Sequence, residues 1–489
     1  MYPKGGPALV FSSLIFVFLF FVANIITQAV VTDIRKKNIV MLSFSLVFYA
    51  WAGVQYVPLL LGMTFICWIS ALLISRRQRQ KEKKRVLVVC IALVLLILGI
   101  FKYTGFFLRN VQVLFGFPEV IPEILLPIGI SFYTFQLLSY VIDVYRGDAE
   151  VQEKYWLLLL YASLFHQCIA GPIVRYRDVY QDILHRRVKR TELSRGITRF
   201  AIGLAKKAVL ANGCAAVVRD VFGIAQDADL TAAIVQRTPV TGMWLVMLAY
   251  TMFIYLDFSA YSDMAIGMGL MCGFHYKENF NYPYVADSVT DFWRRWHISL
   301  SSFFRDYVYI PLGGNRCSKG RHIFNLFVVW GLTGMWHGPS WNFILWGLYY
   351  FVFLVVEKYL VDTGRIPRVL RHVLTLLIVG FGWMIFRFDE SGQLGAALKG
   401  LFGLNGNDFT ALSSRLVFQN NLFFLLFCVF AVTPLAKLIG NMLKNLSQQN
   451  TIWLHVYGVL DAGFPLLLLL LSMMALAGKQ YNPFIYFRF

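Results

Sequence analysis

The sequence predicts an all-α integral membrane protein: a multi-helix transmembrane bundle of about ten crossings, at roughly 20 residues each, with re-entrant and interfacial helices around a central cavity. Three observations lead there. Hydrophobic residues fill 58% of the 489 positions, above the roughly 45–50% of an ordinary soluble chain even when glycine is counted as apolar. The basic residues gather in short connectors between apolar runs, as they do where positive loops stay on the cytoplasmic side. Simple in-and-out alternation fails in the middle of the chain, which calls for a segment that enters and leaves by one face.

The first apolar run, ALVFSSLIFVFLFFVANIITQAVV (8 to 31), has only Lys4 ahead of it and RKK (35 to 37) behind. That polarity puts the N-terminus outside, and with no small-residue cleavage site close behind, the run reads as an uncleaved anchor. Segment 38 to 54 then runs outward, 57 to 75 runs inward to the basic connector RRQRQKEKKR (76 to 85), and 86 to 101 runs outward. Crossings at both 124 to 145 and 155 to 170 would leave the stretch 175 to 199, with eight Lys or Arg against three acids, outside. One of these segments is therefore expected to be re-entrant. Irregular backbone at membrane depth needs protein or water around it, which predicts a cavity. In 126 to 145, Pro127 and Gly129 loosen the start, while Ser131, Thr134, Gln136 and Ser139 place polar groups in an otherwise apolar run. Further apolar runs follow at 374 to 386 and 421 to 432. In SGQLGAALKGLFGL (391 to 404), Leu394, Leu398, Leu401 and Phe402 share one helical face, predicting a helix along the membrane surface. No repeat or low-complexity linker divides the chain, so 1 to 489 reads as one membrane domain with a motif-bearing region at about 126 to 350.

The net charge of +19 raises nucleic acid as a partner, but the cations follow loop topology and form no stripe interleaved with aromatics. Nucleic-acid binding is excluded on that ground. Seven cysteines are scattered without a CxxC, most of them in apolar runs, where a thiol packs as a small hydrophobe. They predict neither a disulfide framework nor a metal site.

Three dense polar-aromatic motifs follow one another: YLDFSAYSDMAIG (255 to 267), DFWRRWHISLSSFFRDYVYIPLGGNR (291 to 316) and WGLTGMWHGPSWNF (330 to 343). Ionisable groups at membrane depth cost on the order of 2.5–3.5 kcal/mol on insertion scales, so they mark function by default. Read as one helix, the middle motif puts Trp293, His297, Leu300 and Phe304 along one side, with Arg294, Arg295, Ser302 and Arg305 largely elsewhere. The plain alternative is an interfacial helix with snorkelling arginines and a histidine that satisfies a carbonyl. In the last motif Gly331, Gly334 and Gly338 form a small-residue face, and His337 sits where Gly338-Pro339 breaks the helix. A neutral imidazole there can take a proton near pH 7, which suits activation of a hydroxyl. Metal binding is disfavoured because His297 and His337 are forty residues apart with no HxH or HxxxH. Asp257 and Asp263 point to different faces of a helix, open to a proton relay or a structural network. GPIVR (171 to 175) reads as a helix break with an anchoring arginine, and NPFIYFRF (482 to 489) as an interfacial anchor.

The ordered set LPIGISFYTFQLLSYVIDVYRG, AGPIVRY, YLDFSAYSDMAIG, FNYPY, FWRRWHISLSSFFRDYVYIPLGGNR, GLTGMWHGPSWNF and NPFIYFRF resembles the membrane-bound O-acyltransferase superfamily, and within it the bacterial alginate O-acetyltransferase branch. Ala260 stands where the family's DFSGYSD pattern has glycine. The resemblance implies an enzyme of the bacterial cytoplasmic (inner) membrane. It implies a cytoplasmic acyl donor, acetyl-CoA or another thioester, and an acceptor hydroxyl reached from the outer face, on a cell-envelope polysaccharide or an SGNH-type partner transferase. It also implies His337 of WHG as the catalytic histidine and His297 as its paired polar residue, with Arg294 and Arg295 drawing in an anionic donor. D-alanyl transfer to teichoic acid is the nearer alternative, and a secondary transporter the alternative from another class, favoured by broken helices and the two intramembrane aspartates.

Overall fold

The computed structural model describes residues 11 to 116, 124 to 169, 171 to 225, 229 to 477 and Phe484. The expectations for Lys4 and for most of NPFIYFRF lie outside these residues. Among the described residues the chain is helical, with no strand. Seven segments among the described residues are long and apolar enough to cross a bilayer: Ile34–Arg76, Gln80–Phe115, Arg190–Phe222, Val240–Cys272, Arg368–Arg387, Leu412–Ala431 and Thr451–Ala477. The first is divided after Gly53 into helices Ile34–Gly53 and Val57–Arg76. Its start is set by Asp33, whose carboxylate accepts from the Lys36 N–H at 2.9 Å, satisfying an orphan donor where negative charge also suits the helix dipole. Gln80–Phe115 has 36 residues, roughly 54 Å at about 1.5 Å each, against a hydrocarbon layer of about 30 Å. Its cationic first turns, Lys81 to Arg85, therefore extend beyond the apolar layer.

Two compact units emerge, each drawn from separated parts of the sequence: Met1–Phe200 with Tyr261–Glu278 and Gly478–Phe489, and Ala201–Ala260 with Asn279–Ala477. In the first, Ile130–Arg146 begins after Gly129, in the left-handed region at φ 74°. A side chain there would collide with the Cys168 carbonyl, so the glycine permits a close approach of two backbones. Tyr155–Ser163 and Phe165–Cys168 are separate helices broken at Leu164, and neither approaches the ~20 residues of a crossing. Residues 157 to 168 are buried throughout, the cover that irregular backbone at membrane depth requires. The Tyr161 hydroxyl donates to the Val174 carbonyl at 2.8 Å, tying the GPIVR break to this short helix.

In the second unit, Lys319–His337 and Trp341–Tyr359 form a tight hairpin backed by Arg368–Arg387. Helix Ser391–Leu401 forms where the surface helix is expected; Gln393, Ala396, Ala397, Gly400 and Leu401 are buried, and it packs against Ala232–Gln236. Its small residues let it dock on protein, and of the expected apolar face only Phe402 stands out, at 62% exposed. Helix Leu435–Ser447 presents Leu435, Leu438, Ile439 and Met442 at helical spacing, the pattern of an interfacial helix.

Candidate active site

His297 does not lie within a helix. The run read from sequence as continuous is two short helices, Val289–Arg295 and Ile298–Phe304, and His297 caps the second in the left-handed region at φ 44° and ψ 55°. The reason lies in residues 279 to 281, which pair with the break: the Ile298 N–H donates to the Asn279 carbonyl and the Asn281 N–H to the Arg295 carbonyl, each at 2.9 Å. These bonds stop the first helix and reset the chain. Left-handed backbone outside glycine costs on the order of 1–3 kcal/mol and persists only where surroundings impose it. The first helix is placed by Glu357, whose carboxylate accepts from the N–H groups of Val289 and Thr290 at 2.7 and 3.2 Å. An acid from Trp341–Tyr359 thus pins the helix that carries Trp293 and Arg294.

His337 ends helix Lys319–His337 and is 3% exposed. Its ring stands edge-on to Trp346 at 4.9 Å and to Phe386 at 5.3 Å between centroids, with Trp336 at 5.1 Å. Trp336 also stands 5.8 Å from the His297 ring. One indole therefore lies against both histidines. The glycine face divides: a side chain at Gly334 would strike the Phe343 carbonyl and one at Gly338 the Phe343 ring, while Gly331 meets nothing within 4 Å. The matching glycine is Gly347, where a side chain would strike the Trp330 carbonyl. Gly334 and Gly347 thus bring the hairpin's backbones together and fix where His337 ends up.

Both histidines line one cavity of about 220 Å³, with Arg294, Arg305, Tyr309, Thr333 and an otherwise largely apolar wall. Arg294 reaches it; Arg295 is held by Asp291 at 2.9 Å and is not part of the lining. Tyr309 is fixed through His322, whose ring nitrogens each meet a tyrosine hydroxyl at 2.7 Å, Tyr309 on one side and Tyr359 on the other. Asp257 is paired with Lys207 at 2.7 Å, and Asp263 with Arg199 at 2.8 Å, so neither aspartate belongs to this lining. No group of three or more His, Cys, Asp or Glu able to hold a metal ion occurs among the described residues. Sequence reasoning missed Asn279, which meets His297, and Trp346 and Phe386, which meet His337, because each comes from an element other than the one that carries its histidine.

A buried imidazole at a helix break and a second held in a left-handed turn thus share one cavity in a multi-pass helical protein. The membrane-bound O-acyltransferase family matches residues 157–387, a span that contains both histidines, and the chain belongs to that family as an O-acyltransferase. A probable alginate O-acetylase of Pseudomonas aeruginosa is 40% identical over 78% of this chain and 72% of its own length. One of Azotobacter vinelandii is 35% identical over 98% of this chain and 100% of its own. A peptidoglycan O-acetyltransferase of Helicobacter pylori is 31% identical over 98% of both.

Proposed function

We propose that the protein moves an acyl group, acetyl foremost, from a cytoplasmic thioester such as acetyl-CoA to a hydroxyl of a cell-envelope polysaccharide or of an extracytoplasmic SGNH-type partner transferase, working in the bacterial inner membrane. The observation that carries this reading is the cavity of about 220 Å³ lined by both His297 and His337. It is smaller than the roughly 300–1,000 Å³ of sites that enclose a whole drug-sized ligand. It suits the reacting ends of two long substrates, each extending away. The acceptor oxygen attacks the thioester carbonyl carbon as its proton passes to the His337 imidazole; the new C–O bond forms, the C–S bond breaks, and the thiolate leaves with that proton. His297 orients the reacting groups, and Arg294, the arginine of the pair that lines the cavity, attracts an anionic donor. The relatives named as acetylating alginate and peptidoglycan support acetyl and an envelope acceptor.

Membranes containing the wild type or His337→Ala, given radiolabelled acetyl-CoA, provide the test. Transfer of label to polymer or partner should fall about 10²–10⁴-fold in the variant, the usual weight of general-base catalysis. Undiminished transfer would remove His337 from the mechanism. Label arriving only from an alanyl-loaded carrier would assign the same chemistry to D-alanylation.

A further inference from the structure

Asn279 is fully buried, and its side-chain oxygen is a hub. It accepts from the Ser299 N–H at 3.1 Å and the Ser299 hydroxyl at 2.8 Å, and it lies 3.2 Å from His297 Nδ1. The first contact decides the chemistry of the third. A backbone N–H can only donate, so the amide atom facing Ser299 is the oxygen, whichever way an Asn side chain is otherwise drawn. The His297 nitrogen facing that same oxygen must then carry the hydrogen, since two lone pairs would repel at this distance. The Ser299 hydroxyl, 3.4 Å from Nδ1, gives its own proton to Asn279 and offers Nδ1 a lone pair, consistent with that assignment.

We infer that Asn279 is a positioning residue that fixes His297 as the Nδ1–H tautomer, leaving the lone pair on Nε2. The same asparagine accepts the Ile298 N–H through its backbone, so the left-handed turn and the tautomer have one cause. On the acyl-transfer reading above, a neutral His297 accepts a hydrogen bond from the acceptor hydroxyl through Nε2; it does not stabilise a developing oxyanion as a neutral donor. The ionisable groups sharing its cavity are His337, Arg294, Arg305 and Tyr309, while Asp257, next to the Phe258 ring that packs on His297, is paired with Lys207.

The full chain, labelled with ¹⁵N-histidine and reconstituted in lipid nanodiscs, provides the test. The His297 signals are identified by their loss in His297→Gln. At neutral pH Nδ1 should be protonated and Nε2 not, and Asn279→Leu should abolish that preference and lower acyl transfer by about 10²-fold or more, the scale on which a mis-set imidazole tautomer weakens catalysis. Asn279→Asp keeps the acceptor oxygen and adds a charge that favours protonated imidazole, so it should retain the tautomer and move the acid limb of the pH–rate profile upward by about one unit. An Nε2–H ring in the wild type, or an Asp variant with an unmoved profile, overturns the inference. Full activity of His337→Ala sinks the acyl-transfer mechanism and leaves the tautomer measurement standing.

Discussion

Asp257 is the sharpest case of a single side chain whose meaning depends on its neighbour. In an apolar helix an isolated carboxylate reads equally as a proton carrier or as a strut. The Lys207 ammonium at 2.7 Å, with both side chains almost wholly buried, favours the strut. Removing one partner of such a pair strands the other charge and costs about 3–5 kcal/mol, whereas replacing both with apolar residues of similar volume is often neutral. Asp257→Leu and Lys207→Met should each lower the melting temperature in detergent markedly, and the double variant should recover most of it. A double variant as stable as the wild type yet inactive would return the pair to the chemistry. Asp263 differs in kind: its Arg199 is shared with Glu278, so one guanidinium ties a helix to the loop beyond Val240–Cys272.

At the scale of elements, His337 is placed by a glycine contact. Gly334 and Gly347 occupy facing positions where any Cβ would overlap a carbonyl of the other helix, so Gly334→Val should force the hairpin apart. Acyl transfer should fall at least tenfold with a lowered melting temperature, because overpacking of this kind costs about 1–3 kcal/mol. Gly331 lies on the same helix over open space, and Gly331→Ala should be neutral or stabilising by up to about 1 kcal/mol from helix propensity. Equal damage from both substitutions would refute the contact as the cause. The sequence showed the glycine spacing but not which glycines meet a partner, since Gly347 belongs to the next helix. Likewise the leucine spacing of Ser391–Leu401 predicted a helix along the membrane surface but not that its alanines and Gly400 would pack on protein.

Across the whole molecule, the loop after Val240–Cys272 is latched by charge. The helix ends at Gly273, in the left-handed region at φ 82°. His275 then meets Asp182 at 3.1 Å and Glu192 at 3.4 Å, and Lys277 meets Asp178 at 2.6 Å. The three acids of the basic stretch 175 to 199 are thus all engaged. Partial burial works against the charged imidazole, but the hydrogen bonds and charges of Asp182 and Glu192 outweigh it and raise His275 above its ordinary 6.5. Below that value the folded and unfolded chains both hold the proton, and the latch contributes fully. As pH rises past 6.5 and through the higher folded value, the contribution is lost. Stability should decline across that window in the wild type, and His275→Gln should flatten the decline. The effect is modest, because the ring is half exposed and water screens the pair. A melting profile in which both proteins fall in parallel would assign the decline to other groups.

The class of fold was legible in the chain because bilayer insertion is governed by composition and length: apolar runs and basic connectors are local facts, and the short helices that meet at Leu164 fall in one of the two segments where simple alternation fails. His337 was legible for the same reason, since a glycine-proline break beside an imidazole is written in consecutive residues. What His297 can do was not. Spacing made it one side of a helix, whereas residues 279 to 281 broke that helix, set its backbone and, through the Asn279 oxygen, chose which nitrogen holds the proton. Hydrogen bonds between segments override local periodicity where a buried polar atom left unmet would cost about 1–3 kcal/mol, and no pattern in the local run specifies which distant atom will meet it.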